Sequence, residues 1–308
     1  MKTKIHSTLF LAVVLILLAI IAWWLMSTQE TAVNKSLVLN LTEVDILGFD
    51  ITKTDLYQKT ENLAVRKNSE NNWVITAPVE DIADPGTISN MLASLKGIMT
   101  PTTIKNVADL SEYGLDLPSV TATVILKKGK KVTLNFGFES PIPEMYYAQL
   151  TGRKEIVVIG KDIKNNLSPE LRYLRERKVV NVTREQIRKI TINFKQSKVY
   201  RMVNSNGKWS LTEPYQKEPI DNTINAMIDG LNALWTHEND DDLNNLTKYG
   251  LDQPEYRIEF ELTDGKKFSL IANKVNSDYY MLNSLRPTIT RQKNPDAFNF
   301  LKIYLRNL

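Results

Sequence analysis

The hydrophobic pattern of this chain changes period several times, and each change marks an element. From Leu9 to Met26 it is continuous, LFLAVVLILLAIIAWWLM, with no charged or polar position. Such a run at about 1.5 Å per residue covers about 27 Å, just enough for a hydrocarbon core of ~30 Å. Lys2 and Lys4 stand before it and Ser27 to Glu30 after it. The positive-inside rule then predicts a cytoplasmic N-terminus and an exported remainder. The bulky end at Trp23 and Trp24 offers no small-residue cleavage site, so the run reads as a retained single-pass anchor rather than a cleaved leader. Residues 1–8 are then a cytoplasmic stub, 9–26 the anchor, and 27–40 a tether that opens polar and aperiodic.

Beyond the tether, alternating and helical patterns take turns, and they do so twice. Displaced by 136 residues, the chain matches itself over a long ungapped stretch. Trp73 falls on Trp209, Pro78 on Pro214, Met91 on Met227, Leu95 on Leu231 and Leu110 on Leu246. The phrase Tyr113-Gly114-Leu115-Asp116-Leu117-Pro118 falls on Tyr249-Gly250-Leu251-Asp252-Gln253-Pro254. After a slip of three residues, Tyr146-Tyr147 falls on Tyr279-Tyr280. Self-similarity of this kind predicts a tandem duplication, with units over 41–178 and 179–308.

One unit can be read in order. KITINF (Lys189 to Phe194) and VYRMV (Val199 to Val203) alternate as strands do, and an Asn-Gly turn leads to a strand with Trp209 that stops at Pro214. A helix follows, with Ile224, Met227, Ile228, Leu231 and Leu234 at helical spacing and Asp221 or Asn222 as its cap. Its counterpart is GTISNMLASLKGI. YRIEFELTDGKKFSLIA is a hairpin about Asp-Gly, matched by ATVILKKGKKVTLNFG. Two more strands precede a closing helix, predicted to start at Ser168-Pro169 in the first unit and Asn294-Pro295 in the second. The expected fold is therefore α+β: one membrane-spanning helix, then two duplicated units with mostly antiparallel sheets.

The repeated Tyr-Gly-Leu-Asp-x-Pro phrase follows a short polar stretch expected to be helical in each unit. Glycine just past a helix end takes the left-handed conformation, the following Leu packs back, Asp serves the turn, and Pro stops the helix. The phrase reads as a helix-to-hairpin joint. Neither copy brings a His, a Ser or a metal ligand beside its Tyr and Asp, so a catalytic pair is not expected.

Composition narrows the chemistry further. Hydrophobic residues make up 43% and charged residues 24%, enough apolar material for a buried core in each unit. A net charge of +4 is too small a bias to argue for nucleic acid. The absence of cysteine excludes disulfides, thiol catalysis and thiolate metal sites. There is no glycine-rich phosphate loop, no nucleophile elbow and no dinucleotide fingerprint. His237, Asp240 and Asp242 form a weak candidate metal set, though an acid-rich loop feeding a helix explains them as well. Arg172, Arg175, Arg177 and Lys178 form a possible docking surface for an acidic partner or anionic headgroups.

The succession Trp73, Pro78, helix, Tyr113-Gly114-Leu115-Asp116-x-Pro118, Gly-Lys-Lys hairpin and tyrosine pair, with Trp209, Pro214, Tyr249, Gly250, Leu251, Asp252 and Pro254 in the second unit, resembles the bacterial family catalogued as domain of unknown function 4340. The resemblance covers most of the chain after the anchor. It implies an envelope protein with one span or a lipid attachment, often encoded beside ABC transporter genes of the gliding-motility type. No catalytic residues are established for that family, so it assigns none here. The combined expectation is a non-enzymatic accessory or scaffold subunit in a bacterial inner membrane, its bulk periplasmic. Its partners would be membrane proteins such as an ABC permease or ATPase, and no cofactor is called for. A glycan- or peptidoglycan-binding module and a carboxylate-based hydrolase are the rival readings.

Overall fold

A computed structural model describes residues 36–217, 220–244 and 246–308. The anchor and stub expected from the sequence lie outside these residues. Among the described residues no helix is long and apolar enough to cross a membrane. What they form is sheet-rich and α+β, with every strand pairing antiparallel.

The N-terminal sheet begins at one edge with Asp81–Ile82 and continues through Trp73–Ala77, Thr60–Lys67, Ile46–Thr54 and Val120–Leu126. It goes on through Lys131–Glu139, Met145–Leu150 and Ile156–Gly160 to the short edge strand Thr103–Ile104. The C-terminal sheet runs Lys208–Glu213, Lys198–Ser205, Ile187–Phe194, Tyr256–Leu262, Lys267–Val275, Asp278–Asn283, Ile289–Gln292 and Glu238–Asp240. Strand for strand the order is the same. Where the first sheet pairs Ile75 with Asp81, the second has a single bridge between Leu211 and Lys217. Ala77-Pro78 and Glu213-Pro214 are both cis. A separate small sheet joins Ser36–Leu39 to Ile98–Thr100.

Each sheet buries one face beneath helices. In the first, Phe49, Ile51, Leu63, Val65 and Ile75 pack against Ile88, Met91 and Leu92. Their helix, Pro85–Ser94, starts where Asp84 accepts the Thr87 N–H at 2.7 Å and proline takes the first turn. In the second, Ile190, Ile192, Tyr256 and Tyr279 pack against Met227, Leu231, Phe298 and Leu301 from Asp221–Asn232 and the C-terminal segment. Leu174 belongs to the first core, Val179 and Val180 to the second.

Several helix boundaries differ from the expectation. The carboxylate of Asp221 accepts the backbone N–H of Trp209 at 2.9 Å instead of capping its own helix. Ser168 ends a helix, Lys161–Leu167, by donating to the Lys164 carbonyl, and only the single turn Leu171–Leu174 follows Pro169. The chain must straighten there because residues after Leu174 are extended between the two halves. Asn294 accepts the Asp296 N–H in a turn, and the last helix begins later, at Asn299. The acid run after His237 does not open a helix; Glu238–Asp240 is an edge strand paired with Ile289–Arg291.

The repeated phrase is a joint in both places, although each preceding helix is only a 3-10 turn, Ser111–Tyr113 and Leu246–Tyr249. Gly114 and Gly250 have φ of 65° and 64°. Gly114 donates to the Ser111 carbonyl and Leu115 to Leu110, both at 3.0 Å, while Gly250 donates to Thr247 and Leu251 to Leu246 at the same length. This nested pair satisfies the orphan carbonyls of the turn. The turn aspartates do not hold backbone N–H groups, as turn aspartates commonly do: the Asp116 carboxylate has no backbone partner among the described residues, and Asp252 accepts from the Thr247 hydroxyl at 3.4 Å. Each phrase tyrosine meets the second tyrosine of its unit's pair. Tyr113 lies edge-on to Tyr147 at 4.9 Å, and Tyr249 stacks on Tyr280 at 4.5 Å.

A Cβ on Gly250 would lie 2.2 Å from Asn273 Nδ2, the atom that donates to the Tyr249 carbonyl, whereas one on Gly265 would meet nothing. Both glycines have positive φ. Gly265→Ala is expected to cost about 1 kcal/mol from backbone strain alone, and Gly250→Ala about 1–3 kcal/mol more, through the displaced amide. Urea unfolding midpoints of the two variants measure the difference.

Candidate functional site

The most deeply buried ion pairs among the described residues lie where the halves meet. Asp81 sits on the edge strand of the N-terminal sheet with its side chain wholly buried. Arg175 donates from Nε to one of its oxygens at 2.7 Å. Arg286, from the turn after Asp278–Asn283, grips both oxygens through Nε and Nη2 at 2.8 Å. The rest of that guanidinium is taken by the carbonyls of Glu176 at 2.9 Å and Lys178 at 3.3 Å. Arg175 turns its other two nitrogens to Asp241, at 3.0 and 2.7 Å. Two guanidiniums and two carboxylates thus form one chain of forked bonds, the strong geometry for this pair of groups.

Local chain geometry puts them there. The segment that follows Leu174 is extended, and the chain from Leu174 to Val179 pairs first with one half and then with the other. Asp84 donates to the Leu174 carbonyl and Glu176 to Ile82; then Thr236 donates to Arg177 and Val179 to Leu234. Arg175 and Glu176 are consequently buried, at 5% and 7% exposure. Asp241 follows the edge strand Glu238–Asp240, whose Asp240 accepts the Tyr249 hydroxyl and, at 3.6 Å, faces Lys248.

The electrostatics make this a clamp rather than a proton-transfer site. Burial, the largest influence on Arg175, pulls its pKa down, but the hydrogen bonds and charges of Asp241 and Asp81 together hold it above the ordinary guanidinium value. Burial likewise raises Asp241 most, yet the bonds from Arg175 and Thr288 and the charge of Arg175 leave it below the usual carboxylate range. A base that has become weaker faces an acid that has become weaker still, so neither exchanges a proton near neutral pH.

A cleft of about 820 Å³ opens beside the clamp, lined by Glu61, Glu170, Arg172, Arg177, His237 and Glu238 among others. Its charges are largely engaged. Arg172 pairs with Glu170 at 2.7 Å, Arg177 lies over the Trp235 ring at 5.4 Å, and Glu238 binds Arg291 at 2.6 Å as well as Lys293.

The candidates from the sequence separate in space. The possible docking set does not form one surface: Arg172 and Arg177 are exposed, Lys178 is half-buried and Arg175 is inside the clamp. Nor do the metal candidates converge. His237 is exposed, Asp240 is occupied by Tyr249, and Asp242 accepts the Asn244 N–H at 3.1 Å. Among the described residues no three His, Asp or Glu side chains are placed to hold a metal ion. Nothing in the sequence announces the clamp, because Asp81 lies on a two-residue edge strand and Arg286 in a turn, 205 residues apart.

With this arrangement in view, the family model described as Domain of unknown function (DUF4340) matches residues 73–234, just over half of the chain. The chain belongs to this family. The match runs from Trp73 in the first sheet, across the shared extended segment, to Leu234 in the second half. It takes in the first Tyr-Gly-Leu-Asp-x-Pro phrase with Trp209 and Pro214, but ends before the second phrase at Tyr249. The DUF4340 match is therefore narrower than the resemblance suggested. It holds Asp81 and Arg175 of the clamp but neither Asp241 nor Arg286. No curated protein and no solved structure matches the chain.

Removing Asp81 leaves two buried guanidiniums facing each other. Asp81→Ala is expected to destabilise the protein by about 3–5 kcal/mol. Glu70→Ala, which removes an exposed bridge to Lys266 between the same halves, should cost less than about 1 kcal/mol. Guanidinium chloride titration compares them.

Because the folded pKa of Asp241 lies below its unfolded value, its contribution is complete above pH ~4 and is lost as pH falls through the folded pKa. Thermal midpoints measured from pH 7 down to pH 2.5 should fall less steeply below pH 4 in Asp241→Asn than in the parent.

Proposed function

We propose that this chain is a membrane-tethered, periplasm-facing, non-enzymatic scaffold subunit of a bacterial cell-envelope complex, and that the complex is an ABC-type transporter. We propose also that its body consists of two copies of one α+β unit, 41–178 and 179–308. The observation that carries the reading is the clamp: the most deeply buried ion pairs among the described residues fix one half against the other. Arginine is the residue for that task, since its planar fork holds carboxylates bidentately and keeps its charge at any physiological pH. Two sheets locked in a defined relation present an extended surface for other proteins.

Further support comes from separate features. The continuous apolar run at Leu9–Met26 with Lys2 and Lys4 before it has the length and charge bias of a single-pass anchor. The duplication is supported by the shared strand order, the cis prolines 78 and 214, and the two joints built alike around Gly114 and Gly250. The unit boundary is supported by the change of core between Leu174 and Val179.

Purification of the full-length protein from its native membrane in mild detergent, with mass spectrometry of what accompanies it, tests the reading. A permease and an ATPase in stoichiometric amounts are expected. A solitary protein, before and after crosslinking, overturns the scaffold reading.

A further inference from the structure

The two sheets use the same end differently. In the C-terminal sheet, the turns between Tyr256–Leu262 and Lys267–Val275, and between Asp278–Asn283 and Ile289–Gln292, press against the N-terminal half. Arg286 reaches Asp81 there, and Lys266 Nζ lies 2.8 Å from Glu70 Oε1. In the N-terminal sheet the corresponding turns are 127–130 and 151–155, and no part of the described chain covers them. They carry the cations Lys127, Lys128, Lys130, Arg153 and Lys154, with Lys131 beside them and Lys105 following the edge strand Thr103–Ile104; these seven are exposed, as is Glu155, the one acid in the two turns. Of these seven, only Lys127 is in an ion pair among the described residues, with Asp45 at 3.5 Å.

The path of the chain brings a membrane to this end. Ser36 pairs with Thr100 and Leu39 with Ile98. Ser36, the first described residue, therefore lies on the side toward which residues 101–105 run, and there Ile104 pairs with Ile156, next to the 151–155 turn. Nine residues separate Met26 from Ser36. Fully extended, they reach roughly 30 Å.

We propose that this basic end, formed by Lys105, Lys128, Lys130, Lys131, Arg153 and Lys154, is seated on the anionic headgroup layer of the membrane that holds the N-terminal anchor. The inference rests on the membrane-tether reading above. Clustered lysine and arginine beside a membrane attachment are drawn to anionic lipid over about a Debye length. A protein edge like the one used inside this chain fits less well. Lys105 stands where the second sheet has Asp241, so an arginine placed like Arg175 would meet a cation. Lys217 stands where the first sheet has Asp81, so a second copy of this chain would offer Arg153 no carboxylate like the one that Arg286 meets.

The chain has no cysteine, so single labels can be introduced at exposed turns. Full-length protein with Thr151→Cys, or with Ser277→Cys in the turn at the other end of the C-terminal sheet, is coupled to a fluorophore. It is then reconstituted in nanodiscs of phosphatidylcholine, with or without phosphatidylglycerol, that carry a headgroup-borne quencher. Quenching at position 151 is expected in the anionic discs at low salt, with none at 277. It should be lost in pure phosphatidylcholine, and also in 1 M salt, where the Debye length falls to about 3 Å. The combined charge reversal Lys130→Glu, Lys131→Glu, Arg153→Glu and Lys154→Glu should abolish it, and the salt response of the parent protein gives the same information without any change of sequence. Absence of quenching in protein that has inserted, or quenching indifferent to salt and charge reversal, overturns the headgroup proposal and leaves the tether reading standing. Failure to insert overturns both. Shielding of residue 151 only when a co-purified partner is present assigns the surface to an acidic protein instead and overturns the lipid assignment.

Discussion

The Asp81 carboxylate is shut off from solvent, and the two guanidiniums that hold it come from residues 94 and 205 positions further along the chain. Taking such a group out of water costs several kcal/mol, and taking two guanidiniums with it adds to that cost. The arrangement is tolerable only because nearly every lone pair and N–H is matched: Asp81 also accepts the Ile82 N–H at 2.8 Å, and Arg286 is completed by two carbonyls. A cluster like this adds little net stability compared with apolar residues of equal volume. What it adds is discrimination, since any other docking of the halves leaves buried charge unpaired. The relation between the two sheets is therefore set by the cost of the alternatives.

That constraint explains the behaviour of the connecting segment. A peptide joining two bodies ordinarily runs over the surface, but here Arg175, Glu176 and Val179 are buried, and the segment is hydrogen-bonded to Ile82–Asp84 on one side and to Leu234–Thr236 on the other. Arg175 can then be supplied from the connection itself, at a point equally close to both halves. The second joint takes part as well. Tyr249, stacked on Tyr280, donates to Asp240, and the neighbouring Asp241 is thereby presented to Arg175. In the first half Tyr113 occupies the same place in its joint, but the strand beside it offers Ile104 at the position of Asp240, so no such bond forms. A structural phrase shared by both halves has been drawn into the interface in one of them.

Much of this was legible because it is local. Helical spacing identified Ile88, Met91, Ile224, Met227 and Leu231 as core, the Asp-Gly hairpin fell where expected, and the left-handed glycines of the repeated phrase followed from its order of residues. Failures came where a distant partner decided the outcome. Asp221 is a good cap by composition, yet the unpaired N–H of Trp209 lies within its reach and takes the carboxylate. The basic stretch around Arg175 suggests a solvated surface on charge alone, and nothing nearby in sequence announces Asp81. Long-range ion pairs leave no periodicity, and a single acid in a turn has too many uses for its type to reveal which one applies.

The clamp also has a direction. Two sheets with the same strand order could in principle each offer the same acceptor, but the edge position held by Asp81 in the first is Lys217 in the second. The turn that carries Arg286 in the second has its equivalent at Arg153 in the first, where the arginine is exposed. The first sheet thus has the acceptor and an exposed basic end, while the second has the engaged basic end and no acceptor at its edge. With no carboxylate at the Lys217 edge, head-to-tail addition of further copies lacks the acceptor that a repeat of the clamp would need. The positive end of the first sheet is left without a protein counterpart among the described residues, on the side where Ser36 lies. An end with that charge and that position is matched to a surface whose negative groups are numerous and mobile, as headgroups are, better than to a single buried carboxylate.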